Sequence, residues 1–182
     1  MGSKIFLRFS GAGGQGMILL GVIYGEAAVL DGLNAVQTQS YGPEARGGAS
    51  KSEVVISEGE ISYPHATKLD LLLCLSQQAC DKYSEDLKPE GLLVADSFFV
   101  GDVRAANTRL IPFTRISEEK FSRRVFTNII ALGAIAELTS YVSVAAIVES
   151  IKKNVPAGTA GLNIRAFDEG REAARIREKT RN

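Results

Sequence analysis

The sequence predicts a three-layer α/β domain, a mostly parallel sheet with flanking helices, and three features of it lead there. A β-rich run, Ile5–Phe9, stops at a cluster of glycines and passes into a helical pattern from Met17 to Leu30. Two continuous apolar stretches, Leu69 to Leu75 and Gly91 to Ala95, read as strands covered on both faces, as parallel sheets require. Strand-like and helix-like segments then alternate, with no internal repeat and no low-complexity linker, so residues 1–182 are expected to form one domain.

The elements follow in order. Asp31-Gly32-Leu33-Asn34 ends the first helix through a glycine able to take a positive φ, and Ala35–Gln39 resumes as a strand. This completes a βαβ unit whose two strands should lie parallel. Ser52–Ser57 alternates as a third strand, and Glu58-Gly59-Glu60 reads as a turn into Ile61–Tyr63, a hairpin. After the Leu69–Leu75 strand, Gln77–Tyr83 can form a helix, and Thr108–Pro112 is a further strand beyond Gly91–Ala95. Helices are expected near Glu118–Arg124, Asn128–Thr139, Val144–Lys153 and Ile164–Lys179. The segment Ile129–Ala136 is apolar all round, as suits a helix buried in the core or against another subunit. In the last helix, Asp168 with Arg171 and Glu172 with Arg175 fall at ion-pair spacing along a solvated or partner-packed face.

Composition excludes several classes. Lys plus Arg and Asp plus Glu both number 21, so no net field favours nucleic acid or an anionic membrane. The most apolar stretch, residues 129–151, is broken by Glu137, Thr139, Ser140, Ser143 and Glu149, whereas a membrane span needs about 20 nearly unbroken apolar residues. Two cysteines, Cys74 and Cys80, and a start without a signal-like apolar region give a cytoplasmic, reduced reading. Cys74 reads as a small buried hydrophobe, and Cys80, beside Asp81 rather than a cation, as inert. The one histidine, His65, reads as a solvated loop residue.

Gly11-Ala12-Gly13-Gly14-Gln15-Gly16 satisfies the Rossmann-like pattern G-x-G-x-x-G and lies between a strand and a helix, where that pattern has meaning. Glycines there allow positive φ and close approach, and the helix start offers unpaired N–H groups to an anion. A carboxylate about 20 residues on should hold a dinucleotide ribose, but Val36-Gln37-Thr38-Gln39-Ser40 has none. The turn therefore suits a small anion or a partner's loop better than NAD, with tight strand-to-helix packing as the plain structural alternative.

The second strand runs into Tyr41-Gly42-Pro43-Glu44-Ala45-Arg46-Gly47-Gly48-Ala49-Ser50, which should reach the same sheet edge as the glycine turn. Together with Gly14-Gln15-Gly16, this loop resembles the gamma subunits of 2-oxoacid:ferredoxin oxidoreductases, which carry a GxGGQG turn, a glycine-glutamate-x-arginine-glycine loop and a strand ending near Ser57. The resemblance runs from Ile5 to about Asp96, and Ile61, Pro64, Asp70 and Leu71-Leu72 fall at familiar places. The loop wording is more similar to the 2-oxoglutarate and branched-chain types than to the pyruvate type.

The resemblance implies a complex that converts a 2-oxoacid, coenzyme A and oxidised ferredoxin to acyl-CoA, carbon dioxide and reduced ferredoxin. It implies thiamine-binding alpha and beta type subunits and a ferredoxin-like delta type subunit as partners, holding thiamine diphosphate, magnesium and [4Fe-4S] clusters. This chain is expected to bind none of these cofactors alone and to be inactive alone. Two cysteines cannot supply the four thiolates of a cluster, and Gly101-Asp102-Val103 lacks the rest of a thiamine-site pattern. No catalytic or metal residue is assigned. The contact residues expected for coenzyme A or a neighbouring subunit are Gly11, Gly13, Gly14, Gln15, Gly16, Glu44, Arg46, Gly47 and Gly48. A free-standing module for a phosphate-bearing small molecule and a purely structural scaffold are the alternatives.

Overall fold

The structure, a computed structural model, describes residues 4–40, 49–62 and 68–179. Its strands are β1 (Lys4–Ala12), β2 (Asn34–Ser40), β3 (Ala49–Ser57), β4 (Leu69–Cys74), β5 (Leu87–Asp96) and β6 (Thr108–Ile111). The helices are α1 (Met17–Leu30), α2 (Gln77–Tyr83), α3 (Phe113–Phe121), α4 (Thr127–Leu138), α5 (Val144–Asn154) and α6 (Ala160–Lys179). One six-stranded sheet has the order β2-β3-β1-β4-β5-β6. The pairs β1–β4, β4–β5 and β5–β6 are parallel, while β3 runs antiparallel to both β1 and β2.

That order corrects two expectations. β1 and β2 do point the same way, but β3 is inserted between them, so they do not form a paired βαβ unit. Nor does β3 turn back through Glu58–Glu60: Ile61 and Ser62 are not strand, and Tyr63 lies outside the described residues. β3 is long enough, at nine residues, to pair along both neighbours, so its ladder is filled without a hairpin after it. The helix expected over Glu118–Arg124 begins earlier and stops at Phe121, where Ser122 takes a left-handed φ of 56°.

Alternation sorts the side chains of β1. Leu7 and Phe9 enter the larger core beneath α1, α3, α4, α5 and α6, while Arg8 and Ser10 face the smaller one beneath α2. Fully burying each large apolar side chain contributes about 1.5–3 kcal/mol. The apolar segment Ile129–Ala136 is core within this chain: its residues are buried, and α4 lies against α6 at two glycines. A Cβ at Gly133 would stand 1.9 Å from the Phe167 carbonyl oxygen, and one at Gly170 would stand 1.8 Å from that of Ile130. Only glycine lets the two backbones come so close. Glu26, in α1, accepts from Ser150 at 3.1 Å and from Asn154, and Asp31 accepts from Ser143 N and Oγ at 2.5 and 2.7 Å, which pins α1 to α5.

Candidate functional site

The glycine turn is braced by its one polar side chain. Gln15 Oε1 accepts from Ala12 N at 2.6 Å, and its Nε2 donates to the Leu75 carbonyl at 3.2 Å, joining the turn to the end of β4. A Cβ at Gly11 would lie 2.4 Å from Gln15 Oε1, so glycine makes room for that brace. Gly14 and Gly16 have φ of 88° and 77°, and Gly16 is the N-cap of α1. A Cβ on Gly16 would meet Asn128 Nδ2 at 2.3 Å, so the starts of α1 and α4 close on each other here.

Over the turn lies a cleft of about 730 Å³. Its walls include the first turns of α1, α4 and α6, through Gly16, Asn128 and Asn163 among others, and the positive ends of these helix dipoles favour negative charge. Arg123 and Arg124 supply two cations to the same cleft. Arg124 is held by Glu118 at 2.5 Å and lies 5.3 Å from the Phe98 ring centre. Arg123 has no ion-pair partner among the described residues, and its guanidinium has the five-donor fork suited to phosphate or carboxylate. Below, buried Asp96 accepts from Phe98 N at 3.1 Å, Thr114 N at 3.2 Å and Thr114 Oγ1 at 2.5 Å. Burial pushes its carboxyl above the usual carboxylate range against the pull of those bonds. Asp96 is a positioning residue, fixing the starts of the 97–100 turn and α3.

The profile of the pyruvate ferredoxin/flavodoxin oxidoreductase family matches residues 7–173. This chain belongs to that family. The matched span takes in the glycine turn, Asp96 and both cleft arginines. Among individual proteins, 2-oxoglutarate synthase subunit KorC of Methanocaldococcus jannaschii is 49% identical over 174 residues, 93% of each chain. KorC of Methanothermobacter marburgensis is 49% identical over 175 residues, 91% of this chain and 94% of that one. The gamma subunit of a keto/oxoacid ferredoxin oxidoreductase from Geobacter sulfurreducens superposes with a TM-score of 0.86 at 46% identity, covering 96% of this chain and 98% of that one. These family members are subunits by name, and they match this chain nearly end to end.

Of the residues read from sequence in this family member, Gly11, Gly14, Gln15 and Gly16 build the turn, while Gly13 stands clear, with nothing within 4 Å of a built Cβ. Glu44, Arg46, Gly47 and Gly48, like His65, lie outside the described residues. Ala49, which follows them, pairs with Ala12 at the turn's edge of the sheet. Sequence reasoning missed Arg123, Arg124, Asn128 and Asp96. It placed the arginines in a continuous helix, and the break at Ser122 that turns them to the cleft has no glycine or proline to signal it.

Proposed function

We propose that this chain is the gamma-type subunit of a 2-oxoacid:ferredoxin oxidoreductase acting on 2-oxoglutarate, and that its cleft receives a phosphate-bearing part of coenzyme A at the junction with the thiamine-binding subunits. The observation that carries this is the meeting in one cleft of the glycine turn, three helix starts and Arg123, which has no ion-pair partner among the described residues. The names of the KorC relatives favour 2-oxoglutarate, and the loop wording at Tyr41–Gly48 sets the chain apart from the pyruvate type. Thiamine diphosphate, magnesium and [4Fe-4S] clusters are assigned to partner subunits of alpha, beta and delta type. This chain's two thiols fall short of a cluster's four. What the chain's own residues do is bind and orient: the helix starts and Arg123 neutralise the phosphate beside the apolar side chains of Leu19, Val125 and Leu162.

The test is steady-state kinetics of the reconstituted complex. Arg123→Ala should raise KM for coenzyme A by about tenfold or more, the loss of a charge-assisted hydrogen bond, with assembly and 2-oxoacid KM unchanged. Arg46→Ala and Arg46→Lys separate two roles for the loop. Intact assembly with raised coenzyme A KM makes it part of the ligand site, and weaker assembly with normal kinetics makes it a subunit contact. Unchanged coenzyme A kinetics for Arg123→Ala would remove this cleft from the proposal.

A further inference from the structure

Cys74 closes β4, and Cys80 lies in α2 directly after it, so the strand-turn-helix folds two thiols from nearby positions against each other. Both are free cysteines, 0% and 2% exposed, in the smaller core between the sheet and α2. Both side chains pack into that one small core, Cys74 from the end of the strand and Cys80 from the helix that follows it. Each has a hydroxyl neighbour as well: Ser10 Oγ donates to Cys74 Sγ at 3.7 Å, and Ser84 Oγ stands 3.5 Å from Cys80 Sγ. Their access differs. Cys80 lines a solvent-connected recess of about 280 Å³ with Asp81, Ser84, Asp102 and Arg104, and Cys74 is not part of that lining. Such a recess has ample room for a molecule the size of hydrogen peroxide, since the share of liquid volume of one water is about 30 Å³.

The two sulfurs also differ in acidity. Cys74 beside it pulls Cys80 down to about 7, outweighing burial and the opposing charges of Asp81 and Asp102. Cys74, engaged with Cys80 and buried, is pushed up, and Arg8 only partly offsets that. Cys80, expected to be inert from its neighbour Asp81, is thus the more acidic of the two thiols, through a neighbour that only the fold supplies.

We propose that Cys74 and Cys80 form a peroxide-oxidised dithiol site, in which Cys80 reacts first through the recess and Cys74 resolves it. The Cys80 thiolate attacks one peroxide oxygen and breaks the O–O bond, giving Cys80 sulfenic acid and, with one proton, water. The Cys74 sulfur then attacks the Cys80 sulfur, an S–S bond forms as the S–O bond breaks, and the leaving hydroxide takes the Cys74 proton as a second water. Two thiols lose two electrons in total, and hydrogen peroxide gains them. The next residue, Leu75, donates to the Ser10 carbonyl at 2.9 Å and accepts from Gln15, so the bridge forms one residue from the brace of the glycine turn.

The experiment treats the folded full chain with hydrogen peroxide, blocks remaining thiols with iodoacetamide, and reads the tryptic peptide Leu69–Lys82, which carries both cysteines, by mass spectrometry. Most of that peptide should be unalkylated and lighter by two hydrogens, and dithiothreitol should restore it. With dimedone present, Cys74→Ser should carry the adduct on Cys80, whereas Cys80→Ser should leave Cys74 unmodified. Two alkylatable thiols after peroxide, a bridge between two chains, or a dimedone adduct on Cys74 in Cys80→Ser would each overturn the proposal. If Cys74→Ser fails to fold, the measurement on the parent chain decides it alone.

Discussion

Arg8 is the most deeply buried cation described in the chain, 3% exposed, and its setting explains why a charge can sit in a sheet. Glu53 takes its Nε at 2.8 Å and its Nη2 at 2.6 Å, Asp86 takes Nη1, and the guanidinium carbon lies 4.8 Å from the Tyr83 ring centre. Burial alone would raise the Glu53 carboxyl, but Arg8 and Lys51 together hold it below its usual 4.5. A carboxylate depressed in the fold adds stability above its unfolded pKa and loses it as pH falls through the folded value. Glu53→Gln should therefore flatten the acid limb of the stability curve below pH 4.5, as read by denaturant midpoints between acid and neutral pH. Asp96 offers a second test at this scale. Asp96→Ala strips the acceptor from the buried Thr114 N–H and hydroxyl and should cost about 1–3 kcal/mol in urea unfolding, while Asp96→Asn, which keeps one acceptor oxygen, should cost less.

Among elements, the crossing of α4 and α6 depends most on single atoms. Gly133 and Gly170 face backbone rather than a flexible side chain, so an added methyl cannot be accommodated by a rotamer change. Gly133→Ala and Gly170→Ala should each destabilise the chain by roughly 1–3 kcal/mol or more through overpacking, seen as lowered melting temperatures. Gly13→Ala, with open space around it, is the control and should melt like the parent. The same crossing redirects charges. Arg171 and Arg175 do approach Asp168 and Glu172 at 3.8 Å, but their closer partner is Glu137 of α4, at 3.0 and 2.6 Å. Helical spacing identified the pairs within α6, and only the packing of α4 brought a better acceptor.

At the scale of the whole molecule, the strand order decides what the glycine turn can hold. A dinucleotide site needs the end of β2 beside β1, where a carboxylate meets the ribose. Here β3 separates the two, placing β2 about 10 Å from β1 at ordinary strand spacing, and the residues there are Gln37, Thr38 and Gln39. Titration calorimetry with NAD should therefore find no binding in the low micromolar range, and a dissociation constant of that size, about −8 kcal/mol, would contradict the assignment.

By itself the sequence determined the α/β class, the span of α1 from Met17 to Leu30, the α2 segment and the glycine turn, because each rests on local chemistry: periodicity, a breaker or a backbone conformation that only glycine adopts easily. The family likeness was legible for the same reason, since its motifs are contiguous. The tertiary structure alone decided that β3 lies between β1 and β2, because strand pairing is a choice among distant segments whose hydrophobic patterns are alike. It also decided that Asn128 reaches the turn, that Arg123 shares the turn's cleft and that Cys74 and Cys80 share one core. A side chain's partner and its acidity depend on what the fold brings beside it, and neither is written in its immediate neighbours.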